Sequence, residues 1–342
     1  MKLILFDAKP YDKEYFDMYS REYNVDIVYE DKKLTFETCH LANGFDAVCI
    51  FVNDVVDKEV IDKLHEFGIK LIVLRCAGYN GVDIKYAKNK ITVVRVPAYS
   101  PNSIAEISIG MILTLTRKIN KAINKTKNYN FSLEGLVGFD LFNRTVGIIG
   151  TGKIAQEFMK ILSGIGMKIL AYDLYPNYEL ESKLGFKYVD LDTIYKESDI
   201  ISLHCPLTSD NAHMINKDSI SKMKDRVIIV NTARGMLIDT KALIDAIKSG
   251  KVYGAALDVY ENEKNYFFND CSETGIDDEM LKELLSLENV ILFSHQAYLT
   301  EEALTNIALV SLNNIKSFCN NEFLNNEVFY DELQDKIVDF RK

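Results

Sequence analysis

The stretch RTVGIIGTGKIAQEFMKILSGIGMKILAYD, residues 144–173, decides the fold of the second half of the chain. It starts with an apolar run at 145–149 that predicts a strand, followed by the glycine-containing segment 150–155 and an amphipathic helical pattern. A second apolar run then ends at Asp173. A strand, a G-x-G-x-x-A turn, a helix and a second strand form the setting in which such glycines bind a dinucleotide.

Each residue type in the turn has a physical reason to be there. Gly150 permits the tight turn, and Gly152 lets the backbone approach a pyrophosphate. The helix then begins with Lys153 and Ile154, where unpaired N–H groups are offered to phosphates. Ala155 is small enough for the helix to pack closely on the strand. The alternative is a structural glycine turn in a domain that has lost its ligand.

Asp173 stands about 20 residues beyond the turn, at the end of the second strand, as the dinucleotide fingerprint requires. A carboxylate there accepts hydrogen bonds from the ribose hydroxyls and repels a 2′-phosphate. The sequence therefore predicts NAD, in preference to NADP, as the cofactor.

Apolar runs alternate with helical patterns along nearly the whole chain. The first series is KLILFD, VDIVYE, DAVCIFV, KLIVLRCAG and ITVVRVP, and the second is RTVGIIG, MKILAYD, DIISLHCP, RVIIVNTA, VYGAALDVY and NVILFSH. Such alternation indicates parallel sheets covered by helices. We predict an α/β protein with two doubly wound, Rossmann-like domains and a cleft between them.

The boundary between the domains falls in VPAYSPNSIAEISIGMILTLTRKI, where two prolines precede a helix that we expect to start near Ser103. Another helical pattern, LTEEALTNIALVSLNNIKSFC, follows the second series. If it packs back on the first series, residues 1–100 plus 298–342 form a flavodoxin-like substrate domain and 101–297 form the NAD-binding domain. Two sequential domains are the alternative, but the tail is too short to be a unit.

The composition excludes several classes of function. The net charge of −10 and the lack of a long basic stripe argue against nucleic-acid binding. No apolar run approaches the roughly 18 residues that would span a membrane. The six cysteines are scattered, with no C-x-x-C pair, so they predict reduced thiols and neither disulfides nor a metal site. We expect a cytoplasmic protein.

Polar residues follow three strands of the second series. Arg234 lies in NTARGML, Asp258 and Glu263 lie in LDVYENE, and His295 ends VILFSH. Ligands bind at the carboxyl edge of open α/β sheets, which makes these side chains candidates for a site. Each has a plainer reading, since Arg234 could be a surface charge, Glu263 one of several loop acids, and His295 a core histidine or a metal ligand. Their coincidence beside a nucleotide fingerprint favours the site.

The sequence resembles the D-isomer-specific 2-hydroxyacid dehydrogenase family over essentially its whole length. The motifs that carry the resemblance are VGIIGTGKIA, SLHCPLTSDNAHMIN, VIIVNTARGMLIDTKALIDAIKSGKVYGAALDVYENE and SHQAYLTEEAL. Within the family, the combination of YENEKNYFFND, a long acidic loop and HQAYLT is similar to the fermentative D-lactate dehydrogenase branch. In other branches the residues after the histidine are more often glycine-rich.

The resemblance implies that Arg234, Glu263 and His295 form the catalytic triad. Physical chemistry agrees, because reducing a 2-keto acid needs a planar cation for the carboxylate and carbonyl oxygens. It also needs a proton donor that titrates near neutrality, which is a histidine. A carboxylate beside the histidine favours its charged form and fixes the ring.

The resemblance also implies a larger set of ligand-contacting residues. For the cofactor these are Asp258, expected near the nicotinamide, together with Cys205, Pro206, Asn211, Thr232 and Ala233. For the substrate they are the backbone of Cys76, Ala77 and Gly78, which would receive the carboxylate, and Tyr99 and Tyr298, which would line the site. Phe51 matches an aromatic pocket position that leaves room for a methyl group, although plain core packing explains it equally well. His204 and His213 match no catalytic position and are expected to be structural.

Together these expectations predict an NADH-dependent enzyme that reduces pyruvate, a 2-keto acid, to D-lactate. One alternative is a D-2-hydroxyisocaproate-type enzyme for larger 2-keto acids, and another is an NAD-sensing protein that resembles a corepressor. The resemblance further implies a homodimer or higher homo-oligomer, for which the helix after Ser103 is a candidate interface.

Overall fold

The computed structural model describes residues 1–339 of the chain. Its strands are β1 (Lys2–Leu5), β2 (Asp26–Tyr29), β3 (Ala47–Ile50), β4 (Leu71–Leu74), β5 (Thr92–Arg95), β6 (Thr145–Ile149), β7 (Lys168–Tyr172), β8 (Lys187–Tyr188), β9 (Ile200–Leu203), β10 (Val227–Asn231), β11 (Val252–Leu257), β12 (Val290–Leu292), β13 (Val328–Asp331) and β14 (Lys336–Asp339). The predicted apolar runs coincide with all of these strands except β8, β13 and β14, which were not predicted.

The helices occupy the amphipathic stretches between these strands. They are α1 (Pro10–Tyr19), α2 (Lys58–Glu66), α3 (Ile84–Ala87), α4 (Pro101–Thr116), α5 (Ile119–Lys127), α6 (Lys153–Ile165), α7 (Tyr178–Leu184), α8 (Leu191–Glu197), α9 (Lys217–Lys222), α10 (Thr240–Lys248), α11 (Glu279–Ser286) and α12 (Glu301–Cys319). Helix α4 begins at Pro101, two residues before the predicted start, because proline suits the first turn of a helix.

The chain divides into two compact units. Unit 1 contains Met1–Ser100 and the described residues from Leu299 onward, and unit 2 contains Pro101–Tyr298. Helix α12 packs against α1 and β4, which brings the end of the chain back to the first strands. Tyr298 is the last residue of unit 2.

Unit 1 is built on a five-stranded parallel sheet in the order β2-β1-β3-β4-β5. This order is that of flavodoxin-like sheets, in which ligands bind beyond the carboxyl ends of the strands. The antiparallel pair of β13 and β14 lies beside the sheet, with β13 packed against β5.

Unit 2 is built on a seven-stranded parallel sheet in the order β12-β11-β10-β9-β6-β7-β8. Strands β7 and β8 are added on one side of β6, and strands β9 to β12 are added on its other side. The direction therefore reverses between β6 and β9, which is where doubly wound sheets bind dinucleotides. Successive side chains of β10 enter opposite layers, so that Val227 and Ile229 pack in one apolar cluster and Ile228 and Val230 in the other. The predicted α/β fold of two doubly wound parallel sheets is therefore confirmed. Within residues 1–339, no helix combines the length and apolar character needed to cross a membrane.

Candidate active site

The glycine turn after β6 is tightly fitted to the neighbouring strand. Gly150 has a φ of +94°, and a Cβ on it would lie 2.8 Å from the backbone of His204 and of Cys205. Only glycine fits both the conformation and the space. At Gly152, which precedes α6, an added Cβ would meet no atom within 4 Å, and no side chain caps the helix. The amino end of α6, starting with Lys153 and Ile154, is therefore open to an anionic ligand.

Asp173 is held against the glycine turn. Its Oδ2 accepts hydrogen bonds from the backbone N–H of Thr151 at 2.7 Å and from the Thr151 hydroxyl at 2.9 Å, and its Oδ1 accepts one from Tyr175 N–H. The Thr151 Oγ1 also lies 2.9 Å from the Tyr188 hydroxyl. The carboxylate predicted to read the ribose thus lies directly beside the turn predicted to hold the pyrophosphate. The parts played by Thr151 and Tyr188 could not be read from the sequence.

The other predicted cofactor-contacting residues lie at the carboxyl ends of β9 and β10. After β9, the side chain of Asn211 closes a loop by donating to the carbonyl of Pro206 at 2.8 Å and accepting from Thr208 N–H at 2.7 Å. Burial raises the pKa of the Cys205 thiol to about 11, so the thiol is a neutral neighbour of Gly150.

Thr232 and Ala233 follow β10. Thr232 Oγ1 lies 3.4 Å from the Ser108 hydroxyl of α4, and the N–H of Ala233 donates to the Asn231 side chain. These contacts fix the turn that leads from β10 to Arg234.

His295 and Glu263 form a close pair. The His295 Nδ1 lies 2.7 Å from Glu263 Oε1, and the two side chains are 17% and 16% exposed. The second oxygen of Glu263 accepts from Tyr260 N–H at 3.0 Å, which fixes the carboxylate. Because Nδ1 faces the carboxylate, Nε2 is the ring nitrogen left to exchange a proton with a substrate. Phe268 lies beside the ring, with centroids 5.9 Å apart.

Asp258 supports the turn that carries His295. Its carboxylate, 1% exposed, accepts from the N–H groups of Gln296 and Ala297 at 2.8 and 3.0 Å, and its carbonyl accepts from His295 N–H. His295 has a φ of +59°, a strained value for a histidine that these three bonds maintain. Burial raises the pKa of Asp258 to about 6, against the lowering effects of His295 and of the two N–H groups. Direct contact of Asp258 with the cofactor stays a prediction.

Arg234 lies in a turn fixed by Asn231, the last residue of β10. The Asn231 side chain, almost fully buried, donates to the Arg234 carbonyl at 2.9 Å and accepts from Ala233 N–H at 3.0 Å. A Cβ on Gly235 would lie 2.1 to 2.4 Å from the Tyr260–Glu261 peptide, so glycine lets the arginine turn touch the loop that carries Glu263. The strand order places Arg234, Glu263 and His295 after the neighbouring strands β10, β11 and β12. Asn231 was not singled out from the sequence. The signal that could have identified it is a polar residue at the end of an otherwise apolar strand.

The two other histidines of unit 2 lie in different surroundings. His204 is half-buried, with Nε2 2.8 Å from the Ser202 hydroxyl, and desolvation of the ring lowers its pKa to about 4, so the ring is neutral. His213 is more exposed and pairs with Glu261 at 2.9 Å. Unit 2 therefore holds two histidine–glutamate pairs whose acids stand two residues apart.

The predicted substrate residues of unit 1 lie after β3, β4 and β5. Phe51 and Cys76 are each 7% exposed, whereas Ala77, Gly78 and Tyr99 are half-buried. The Cys76 thiol donates to the Gly78 carbonyl at 3.2 Å. Tyr298, the remaining predicted substrate residue, is buried at the end of unit 2.

A doubly wound sheet with an open glycine turn, an acid beside it, and a histidine–glutamate pair and an arginine at its carboxyl edge defines a nicotinamide-dependent oxidoreductase. Comparison with known proteins specifies the class further. Residues 109–297 match the family described as D-isomer specific 2-hydroxyacid dehydrogenase, NAD binding domain.

Relatives match along almost the whole chain. A 2-hydroxyacid dehydrogenase homolog of Haemophilus influenzae is 51% identical over 92% of this chain and 95% of that protein, and the D-lactate dehydrogenase of Escherichia coli is 46% identical over 96% and 100%. The apo structure of the D-lactate dehydrogenase from Escherichia coli superposes with a TM-score of 0.87, at 45% identity, over 96% of this chain and 99% of that one. The chain belongs to the D-isomer-specific 2-hydroxyacid dehydrogenase family, and it is an NAD-dependent enzyme of that family.

Proposed function

We propose that the protein reduces pyruvate to D-lactate with NADH, and that Arg234, Glu263 and His295 carry out the reaction. The observation that carries this proposal is the 2.7 Å pair of His295 and Glu263 at the carboxyl edge of the NAD-binding sheet. The named D-lactate dehydrogenase of Escherichia coli, 46% identical over its whole length, supports the choice of substrate.

His295 supplies the proton. In its charged form it donates from Nε2 to the carbonyl oxygen of the keto acid, and in the reverse reaction the neutral ring removes the hydroxyl proton. Glu263 places its carboxylate beside the ring and prevents the ring from rotating, because its two oxygens bind His295 and the Tyr260 N–H. Bound NADH supplies the hydride that the carbonyl carbon receives.

Arg234 binds the substrate oxygens and stabilises the negative charge that develops on the carbonyl oxygen. A guanidinium presents parallel N–H donors to two oxygens at once, which orients the keto acid. The buried Asn231 fixes the Arg234 turn, and Gly235 lets that turn touch the loop that carries Glu263. The turn that carries the guanidinium and the loop that carries the partner of His295 therefore hold each other in place.

Residues 76–78 of unit 1 bind the substrate carboxylate through their N–H groups, and Tyr99 and Tyr298 line the site. Phe51 limits the size of the side chain that the keto acid carries. This part of the proposal rests on the resemblance and, for Phe51, residues 76–78 and Tyr99, on their position at the carboxyl edge of the five-stranded sheet.

The experiment is a panel of 2-keto acids of increasing side-chain size, each assayed with NADH and with NADPH. We expect the highest kcat/KM for pyruvate with NADH, and we expect Phe51→Leu to shift preference toward branched substrates. A preference of the wild-type protein for branched substrates would instead indicate a D-2-hydroxyisocaproate-type enzyme. Absence of turnover over the background at every pH, with NADH still bound, would indicate an NAD-sensing protein.

We also propose that the protein forms a homodimer through unit 2. Helix α4, the interface predicted from the sequence, packs against α6 of the same unit. In contrast, the segment 128–143 after α5 exposes large apolar side chains, among them Phe131 (73%), Leu133 (80%) and Val137 (85%). Sedimentation should give a dimer for the wild type and a monomer for a Leu133→Asp, Val137→Asp variant. A monomeric wild type would refute the proposal.

A further inference from the structure

A buried charged cluster lies at the carboxyl edge of the five-stranded sheet of unit 1. Its centre is Arg75, the residue after β4, which is 1% exposed and ranks among the largest fully buried side chains of the described chain. The guanidinium donates to the carbonyls of Phe6 and Asp7 at 2.9 and 2.8 Å, and to both carboxylate oxygens of Asp12 at 3.2 and 3.3 Å. A buried charge is tolerated only when it is paired and bonded in this way.

The same guanidinium lies over the ring of Phe51. The carbon Cζ of Arg75 is 4.8 Å from the ring centroid, a distance at which a cation is attracted to an aromatic face. The Phe51 backbone is held as well, since its N–H donates to Asp54 at 2.5 Å, and the other oxygen of Asp54 accepts from Leu34 N–H at 2.6 Å. Plain core packing of a phenylalanine needs neither a stacked cation nor a buried carboxylate.

Arg75 directly precedes the segment predicted to receive the substrate carboxylate. Its N–H donates to the Ile50 carbonyl at 3.0 Å, which joins the end of β4 to the end of β3, immediately before Phe51. The chain then continues into Cys76, Ala77 and Gly78. One side chain and its own backbone thus connect the proposed size-limiting ring to the proposed carboxylate-binding segment.

We propose that Arg75 is a positioning residue for substrate selection, which holds the Phe51 ring at a fixed place relative to residues 76–78. This inference rests on the proposed function and deepens it. A planar guanidinium can lie flat on the ring while donating to Asp12 and to two carbonyls, whereas a lysine ammonium can replace the charge but not that geometry. A loosened ring would admit larger side chains and would position pyruvate less well.

The test compares Arg75→Lys with the wild type, using pyruvate and 4-methyl-2-oxopentanoate with NADH. We expect kcat/KM for pyruvate to fall about tenfold, and the ratio of the branched substrate to pyruvate to rise about tenfold, which lies within the range that pocket shape can change. The affinity for NADH, which binds to unit 2, should stay within about twofold of the wild type. Equal losses for both substrates would overturn the proposal, because a general loss of stability changes both alike.

A double-mutant cycle with Phe51→Leu identifies the route of the effect. If Arg75 acts through the ring, the selectivity change of Arg75→Lys should largely vanish in the Phe51→Leu background. Additive changes in selectivity would contradict the proposal.

Asp12→Asn provides a second test if Arg75→Lys fails to fold, because this substitution weakens the anchoring of the guanidinium without removing the guanidinium. Asp12→Asn should change the ratio of the two substrates in the same direction, and an unchanged ratio would count against the inference. Absence of wild-type turnover with both keto acids would instead refute the proposed function.

Discussion

Replacing Glu263 by glutamine removes one charge from the site and preserves the size of the side chain. In the wild type, the Glu263 carboxylate accepts two hydrogen bonds, from His295 Nδ1 at 2.7 Å and from Tyr260 N–H at 3.0 Å. A glutamine has one oxygen and one NH₂ group, so only one of these two donors keeps an acceptor. The substitution therefore removes the negative charge beside the histidine and loosens the orientation of its ring.

The magnitude follows from the geometry. Two opposite charges about 4 Å apart interact by roughly 4 kcal/mol at an effective dielectric constant of 20, and the slight exposure of both side chains reduces this. A hydrogen bond to a charged group contributes about 1.5–3 kcal/mol, and an unpaired donor costs about 1–3 kcal/mol. A combined loss of roughly 2–4 kcal/mol predicts that kcat falls about 30- to 1,000-fold.

The assay follows NADH absorbance at saturating pyruvate, and NADH binding is measured separately by its fluorescence. The chain has no tryptophan, so protein emission interferes little with the cofactor signal. Glu261→Gln is the matched control, since it lies in the same loop and pairs with His213, whose side chain is 42% exposed. Because the histidine of this pair is open to solvent, the pair contributes about 0–1 kcal/mol, and the control should lose less than about fivefold in kcat.

Two results would refute this reasoning. Wild-type turnover by Glu263→Gln would show that the carboxylate does not assist His295. Equal losses in Glu263→Gln and Glu261→Gln would show that the loop as a whole, and not the pair, determines the rate. NADH should bind to both variants with affinity close to that of the wild type.

Three further predictions concern the NAD-binding unit. Gly150→Ala should lower the free energy of unfolding by about 2–4 kcal/mol in urea titrations and weaken NADH binding, because φ is +94° and the new Cβ would lie 2.8 Å from the His204 backbone; unchanged stability would contradict the close fit. Asp258 has a pKa of about 6 in the fold against 3.8 in the unfolded chain, so its contribution to stability is present at low pH and is lost as the pH rises through 6. The free energy of unfolding of the wild type, relative to Asp258→Asn, should therefore fall by up to about 3 kcal/mol between pH 4 and 7, and parallel pH curves would disprove the raised pKa. Asp173→Ala should raise the kcat/KM ratio of NADPH to NADH at least about tenfold, and an unchanged ratio would show that Asp173 does not exclude the 2′-phosphate.

Strands that lie inside a parallel sheet could be predicted well from the sequence. Runs such as VGII and VIIV are apolar on both faces because helices cover both faces of the sheet. Their residue types alone therefore predict that these strands are buried. The hairpin of β13 and β14 was missed. Its strands mix charged and apolar residues, and only packing against β5 gives them a place to pair.

The residues of the site also divide into those that the sequence predicts and those that it does not. The glycine turn and Asp173 could be recognised because their spacing is local. The choice of Glu263 over Glu261 as the partner of His295 could not be derived from the residues alone, because both acids stand in one loop and both pair with a histidine. The resemblance to the family singled out Glu263.

Supporting residues were the hardest to predict. Asn231 and Arg75 have polar side chains that composition assigns to the surface, and their burial depends on partners far away in the sequence or in a folded turn. Arg75, for example, bonds to Asp12, 63 residues earlier. This pair becomes visible only when the fold brings the end of β4 beside the first turn of α1.

The most direct test of the central claim is to incubate the purified protein with pyruvate and NADH and to analyse the product by chiral chromatography. We predict that one D-lactate forms for each NADH oxidised, and that His295→Gln lowers turnover by a factor on the order of 10²–10⁴ while NADH still binds. Formation of L-lactate, or full turnover by His295→Gln, would contradict the account.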